Sequence, residues 1–255
     1  MNLKTDLSEQ NILVTGASKG IGASLVQHLM QAGARTGVHY RSGSKEAFRL
    51  IDQFDRNGSK TFQADLSSLE ETRQLFEAVI ENFERLDTLV INAGIFEPHA
   101  VSMNTDQWLE VWQKTLDVNL NAAGLLTKLA IEHFRTQGGG RIIYVGSRAA
   151  FRGETREYLA YAASKGGLTS LARTVARSFG KEGIKAFVIA PGFTRTQMAE
   201  SFIESHGEER VLSEISLTEL TRPEDLAPLF LLLCSGLMDH ATGTTIDVNA
   251  GSYIH

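Results

Sequence analysis

Thr15-Gly16-Ala17-Ser18-Lys19-Gly20-Ile21-Gly22 stands between a short β-branched run and a longer amphipathic stretch, and its reading decides the fold. Glycines at Gly-x-x-x-Gly-x-Gly spacing permit a tight turn and let backbone amides approach a bound group closely. A helix opening straight after such a turn offers unpaired N–H groups and the positive end of its dipole, which suits a phosphate. A glycine-rich turn alone also serves as plain structure. The strand before it and the helix after it make this one a dinucleotide site. Gly16, Ser18, Lys19, Gly20, Ile21 and Gly22 are therefore the first candidate cofactor contacts.

The same alternation continues outward from this turn. Strands are expected at Asn11–Thr15, Thr36–Tyr40, Thr61–Asp65, Thr88–Asn92, Arg141–Gly146, Ala186–Ala190 and Thr244–Val248. Helices are expected at Gly20–Ala32, Ser44–Arg56, Leu69–Phe83, Thr105–Leu120, Ala122–Arg135, Thr155–Phe179 and Pro223–Cys234. Gly138-Gly139-Gly140 stops one helix and Pro223 starts another. No stretch reads as a linker and no repeat appears, so residues 1–255 are expected to form one doubly wound α/β domain with a seven-stranded parallel sheet. One segment breaks the rhythm. Residues 193–221 are long, glutamate-rich and without a strong period, and a substrate lid is expected there.

Composition excludes several other classes. The 255 residues carry 25 Lys and Arg against 30 Asp and Glu, a net charge of −5, so no global excess of basic charge points to nucleic acid. The single cysteine, Cys234, rules out an internal disulfide and a Cys-rich zinc site. His28, His133, His206 and His240 show no metal-ligand spacing, and no metal is expected. The apolar run Leu229 to Cys234 is too short to span a bilayer. Residues 1–11 lack the apolar core of a signal peptide. A cytoplasmic protein without membrane contact is the expectation.

The chemistry begins at Tyr161-Ala-Ala-Ser-Lys165. On a helix, residues four apart share a face, and an ammonium beside a phenol favours the phenolate. The pair thus reads as a proton-transfer unit with a phenol brought toward the working range. Tyr158 lies one turn earlier, either lining the same cleft or packing. Trp108 and Trp112 read as packing, and Gly166-Gly167 with Ala160, Ala162 and Ala163 as a close helix contact, between subunits or within one.

Taken in order, these residues resemble the short-chain dehydrogenase/reductase family from Asn11 to about Gly251. Thr15–Gly22 resembles its cofactor turn, Asp65-Leu66 its adenine contact, and Asn92-Ala93-Gly94 the close of its fourth strand. Asn119 in Asp-Val-Asn resembles its catalytic asparagine, Ser147 its serine, and Tyr161 and Lys165 its Tyr/Lys pair. Pro191-Gly192, with Thr194 and Thr196 following, resembles the segment that holds the nicotinamide carboxamide. The resemblance implies a Rossmann-like fold and, commonly, a homotetramer. It implies that Tyr161 exchanges a proton with the substrate oxygen and that Ser147 fixes that oxygen. Lys165 would bind the nicotinamide ribose, and Asn119 would hold a water. Two departures stand out. Asn249-Ala250-Gly251 replaces a frequent Asp-Gly-Gly, and Leu220-Thr221-Arg222 replaces glycines that often flank the arginine.

The expected cofactor is NADP(H). The second strand ends His39-Tyr40-Arg41-Ser42, and the first acid after Gly22 is Glu46, too late to hold a ribose 2′-hydroxyl. Arg41 and Ser42 would take a 2′-phosphate, with Lys19 opposite; a water-facing Arg41 and dual specificity is the other reading. The expected activity is hydride transfer between nicotinamide and a ketone or secondary alcohol. Its rival is a non-catalytic regulatory protein of the same fold, which would be expected to lose Ser147, Tyr161 or Lys165. A sugar-nucleotide epimerase or dehydratase fits the length and glycine spacing less well. Residues 141–185 hold nine basic residues against three acids, a local +6. That charge suits either an anionic or carrier-protein-bound substrate of the kind β-ketoacyl carrier-protein reductases take, or salt bridges to the glutamate-rich segment.

Overall fold

The computed structural model describes residues 5–197, 199–200, 203 and 207–254. Seven parallel strands form one sheet in the order β3-β2-β1-β4-β5-β6-β7. They are β1 (Asn11–Val14), β2 (Arg35–Tyr40), β3 (Lys60–Gln63), β4 (Thr88–Ile91), β5 (Gly140–Val145), β6 (Ile184–Pro191) and β7 (Thr245–Val248). Each expected strand is present to within two residues. Side chains alternate across the sheet because the strand period is two. Leu13, Leu89, Ile91, Ile142, Tyr144, Ala186 and Val188 face one core, and Ile12, Val14, Val90, Ile143, Val145, Phe187 and Ile189 face the other.

Helices cover both faces. Over the second core lie α1 (Gly20–Gln31), α2 (Ser44–Phe54) and α9 (Pro223–Cys234), through Leu25, Leu50 and Phe230 among others. Over the first lie α3 (Leu69–Phe83), α5 (Ala122–Gln137) and α7 (Leu159–Phe179), through Leu75, Leu126 and Leu168. Cys234 is fully buried, as its apolar flank suggests. Among the described residues no helix is long and apolar enough to cross a membrane. His206 lies outside them.

Three expected helices differ. Thr105–Leu120 and Ala122–Arg135 are not separate: α4 (Thr105–Leu116) runs through a π turn at Asp117–Asn121 straight into α5. Such widened turns often mark functional positions, and Asn119 sits inside this one. The helix expected from Thr155 begins at Leu159 instead. A short α6 (Ala149–Arg152) precedes it and stops at Gly153, whose φ of +77° only glycine takes without strain. The first turn of α7 then receives a cap from far away. The ring of His99 accepts from the Ala160 N–H at 3.2 Å.

Within the segment after β6, α8 (Glu208–Leu212) is a single turn and a half. Its two stems meet: Thr194 bridges Thr221, and the Arg195 N–H donates to the Thr221 carbonyl at 2.8 Å. Val211 and Leu220 are buried, so this excursion carries its own apolar anchors. The strand order reverses at β1 and β4, and a cleft opens at the carboxyl ends of those strands, where open α/β sheets bind ligands.

Candidate active site

The glycine turn is held from both sides. Thr15 Oγ1 accepts from the N–H groups of Asn92 and Ala93 at 2.9 and 3.0 Å, and Asn92 Nδ2 donates to the carbonyls of Thr15 and Gly16 at 2.8 and 3.0 Å. A side chain on Gly22 would come within 2.4 Å of the Gly16 carbonyl. Gly22 therefore packs α1 onto the turn and does not line the cleft. From the other side, His39 Nδ1 accepts from the Gly16 N–H at 3.0 Å while its Nε2 faces the Ala64 carbonyl at 3.1 Å. Burial holds this imidazole down to about 4, so it is neutral and Nε2 carries the proton. No side chain caps the first turn of α1 and no acid occupies it, which leaves its amides for an anion.

The cleft is about 600 Å³. Gly16, Ser18, Lys19, Gly20, Ile21, Arg41, Ser42, Asp65, Leu66, Asn92, Ala93 and Gly94 line its first half. Lys19, Arg41 and Ser42 are exposed there. The Ser67 N–H and hydroxyl hold the Asp65 carboxyl below its usual range, with a smaller pull from the Arg41 charge. Pro191, Gly192, Thr194 and Thr196 line the cleft from the opposite side. The Thr196 methyl would lie 3.2 Å from a side chain added at Gly20, so the stem after β6 passes over the glycine turn.

Ser147, Tyr161 and Lys165 line the second half. Ser147 stands beside the Tyr161 phenol and pulls it downward. Lys165 Nζ donates to the Val145 carbonyl at 2.7 Å and stands 5.7 Å from the centre of the Tyr161 ring. Burial pulls this lysine down to about 8. The expectation that Lys165 lowers the phenol is corrected here. Burial pushes Tyr161 up to about 12, and the groups that shift it further are Ser147 and Arg148 downward and Glu154 upward. An i, i+4 spacing sets the face of a helix but not the direction of a long side chain, and this ammonium turns to a carbonyl.

Asn119 does not line the cleft. Its Oδ1 accepts from the Ile95 N–H at 2.8 Å, and its Nδ2 donates to the Ile95 carbonyl at 3.0 Å and to Ser164 Oγ at 3.1 Å. It ties the loop after Gly94 to the helix that carries Tyr161 and Lys165. Tyr158 is a packing residue, stacked on Phe96 at 3.7 Å, and Phe96 meets Tyr161 edge-on at 4.8 Å. Trp108 and Trp112 stack on each other against His99. Gly167 packs on Leu120, but a side chain at Gly166 would meet nothing within 4 Å. His39, His99, Phe96, Arg148 and Glu154 belong to the site or its supports and were not singled out as site residues from the sequence.

The local +6 does not form one patch. Arg141 and Lys185 converge on Asp239, Arg148 and Arg152 on Glu214, and Arg156 on its neighbour Glu157. Ion pairs engage five of the nine basic residues, with Asp239 and Glu214 the two acids drawn from outside the segment.

Comparison with known proteins agrees with this geometry. The pattern of the short chain dehydrogenase family matches residues 10–207. A 3-oxoacyl-[acyl-carrier-protein] reductase of Synechocystis sp. is 32% identical over 97% of this chain and 98% of its own length. An L-rhamnose 1-dehydrogenase (NAD(P)(+)) of Azotobacter vinelandii is 32% identical over 98% of both chains. Among solved structures, a putative NAD(P)-dependent gluconate 5-dehydrogenase of Beutenbergia cavernae with bound NADP superposes with a TM-score of 0.89 at 27% identity, covering 98% of both chains. The NADPH-dependent 3-quinuclidinone reductase of Rhodotorula rubra gives 0.87 at 27% identity, over 99% of this chain and 95% of its own. With the family pattern spanning most of the residues and the relatives nearly all of them, the chain belongs to the short-chain dehydrogenase/reductase family of oxidoreductases.

Proposed function

We propose that this protein is an NADP(H)-dependent carbonyl reductase or alcohol dehydrogenase, acting on a ketone or secondary alcohol that is small or carrier-borne. One observation carries the reading. The pair Tyr161 and Ser147, with Lys165 beside it, opens into the same cleft as the glycine turn and the exposed Lys19 and Arg41. A non-catalytic protein has no need of that convergence.

The residues present fit the cofactor. The uncapped start of α1 receives the pyrophosphate, Asp65 and Leu66 border the adenine, and Arg41, Ser42 and Lys19 take the 2′-phosphate. Asn92 keeps the turn open for these contacts, and Pro191, Gly192, Thr194 and Thr196 border the nicotinamide. When bound, the nicotinamide supplies or accepts a hydride. Tyr161 gives its proton to the developing alkoxide or takes one from the alcohol. A phenol held near 12 by burial is well matched to keep that proton until an alkoxide forms. Ser147 donates to the same oxygen and fixes its position. Lys165, buried beside the Tyr161 ring, would bind the nicotinamide ribose. Asn119 positions the helix under both. The stem of the segment after β6 stands at the cleft, from where the segment would cover a substrate. Gly166 and the exposed Ala163 on α7 offer a small-residue surface for a homotetramer.

Cofactor choice is the sharp test. The wild-type kcat/KM for NADPH is expected to exceed that for NADH by about tenfold or more, because a guanidinium pairs with a phosphate dianion. Arg41→Asp is expected to reverse the preference by like-charge repulsion. A wild-type ratio near one, unchanged in Arg41→Asp, would show that this pocket does not read the 2′-phosphate.

A further inference from the structure

Arg148 directly follows Ser147 and is among the residues that line the cleft, although only 2% of it is exposed. Its N–H donates to the Pro191 carbonyl at 3.2 Å, which fixes the backbone beside the reacting centre. The ring of Phe193 lies 4.7 Å from the guanidinium carbon. One terminal nitrogen, Nη2, donates to Glu214 Oε2 at 3.0 Å, and Arg152 reaches the same oxygen at 3.2 Å. The other terminal nitrogen, Nη1, is buried and has no hydrogen-bond partner.

A buried cationic N–H without an acceptor costs on the order of 1–3 kcal/mol or more. The Phe193 ring attracts the cation but carries no oxygen or nitrogen to accept from it. Glu214 is shared between two guanidinium groups, so it meets only part of their donor capacity. The acids nearby do not fill the gap. Glu154 lines the cleft and acts on Arg148 through space, but its recorded hydrogen bond is from the Thr155 N–H at 3.2 Å. Glu97, also at the cleft, is paired with Lys114 at 2.7 Å. The donor that remains stands one residue from the serine that would hold a substrate oxygen.

We infer that Arg148 determines substrate specificity: its free Nη1 anchors a carboxylate on the substrate, which makes the preferred substrate a short oxo acid or the matching hydroxy acid. This rests on the reading of the cleft as a carbonyl-reducing site. The Glu214 pairing holds the guanidinium in place from one side, and the substrate carboxylate completes it from the other.

The test compares acids with neutral isosteres. NADPH oxidation is measured with 3-oxobutanoate against 3-oxobutanamide and with 4-oxopentanoate against 4-oxopentanamide. In the wild type kcat/KM for at least one acid is expected to exceed that for its amide by about 10- to 100-fold, the range of a charged hydrogen bond. Arg148→Gln combined with Glu214→Gln removes the cation and its partner together, and the ratio is expected to fall to near one. The wild-type ratios need no variant and decide the matter if the double variant does not fold. Turnover of the amides without preference for either acid overturns this inference and leaves the reductase reading in place. So does a preference that survives in the double variant. If none of the four is reduced, thermal unfolding with NADP+ present decides separately. Greater protection by 4-oxopentanoate than by its amide keeps the anion site and overturns the reductase reading; equal protection overturns both.

Discussion

The two halves of the cleft are built differently. The half at β1, β2 and β4 is made of backbone: a glycine turn, an uncapped helix start and strand ends, tied together by Thr15, Asn92 and His39. The half at β5 and α7 is made of side chains that converge from distant segments. There Phe96 meets Tyr161, His99 caps the helix, and Glu214 reaches Arg148. A site made of backbone N–H groups suits a phosphate whatever the surrounding side chains are. A side-chain site can change its substrate without disturbing the sheet, which is consistent with relatives named for an acyl carrier protein and for a sugar.

The largest expected effect separates the halves outright. Tyr161→Phe removes the proton carrier but keeps the ring and its edge contact with Phe96. Turnover is expected to fall by about 100-fold or more while NADPH affinity, measured by nucleotide fluorescence, stays within a few-fold. Near-normal turnover would take Tyr161 out of the chemistry. A parallel loss of cofactor affinity would show the two halves to be one unit.

Acid should strike the backbone half first. Folded His39 stays neutral down to about pH 4, whereas the unfolded ring takes a proton near its ordinary value of 6.5. The unfolded chain thus binds more protons between these values, so the contribution is intact above pH 6.5 and lost as pH falls toward 4. At pH 4.5 the loss is about 2–3 kcal/mol. The Ala64 carbonyl and, less strongly, the Asp65 charge oppose it only in part. His39→Gln is expected to flatten this slope in urea unfolding at pH 7 and pH 4.5, since an amide does not titrate. An identical slope in both proteins would remove His39 as the cause.

The same contrast explains what could be read from the sequence. Strand periodicity and short motifs are local, so the seven strands and the glycine turn follow from them, and the family resemblance adds the cleft-lining residues from Asp65 to Thr196. The partners of those residues are not local. His99 and Ala160 are 61 residues apart and Arg148 and Glu214 are 66 apart, with nothing in either stretch to announce the other. The direction of Lys165 was hidden for a similar reason. Its acceptor is the Val145 carbonyl on a strand, not the phenol one turn away. The π turn at Asp117–Asn121 escapes because its residues have ordinary helical composition; its effect is to present Asn119 to both backbone groups of Ile95.

The smallest expected effect lies where the side-chain half meets the C-terminal turn. Ala250 stands where glycine is frequent in the resembling family, and its φ is +54°, in the left-handed region. A Cβ there crowds the following backbone, at a cost of about 1–2 kcal/mol relative to a right-handed residue. The strain is held by neighbours on the far segment. Ser216 donates its N–H to the Ala250 carbonyl at 2.8 Å and its hydroxyl to the Gly251 carbonyl at 3.1 Å. Ala250→Gly relieves the crowding but loosens the unfolded chain, so the net gain is about 0.5–1 kcal/mol. Urea unfolding at pH 7 measures it, and a loss of stability would mean that the turn does not hold Ala250 in this conformation. Because residues 214 and 216 belong to one stretch, the variant also tests whether this turn steadies Glu214 against Arg148. If it does, Ala250→Gly changes KM for the preferred substrate and leaves the NADPH-to-NADH ratio as it was.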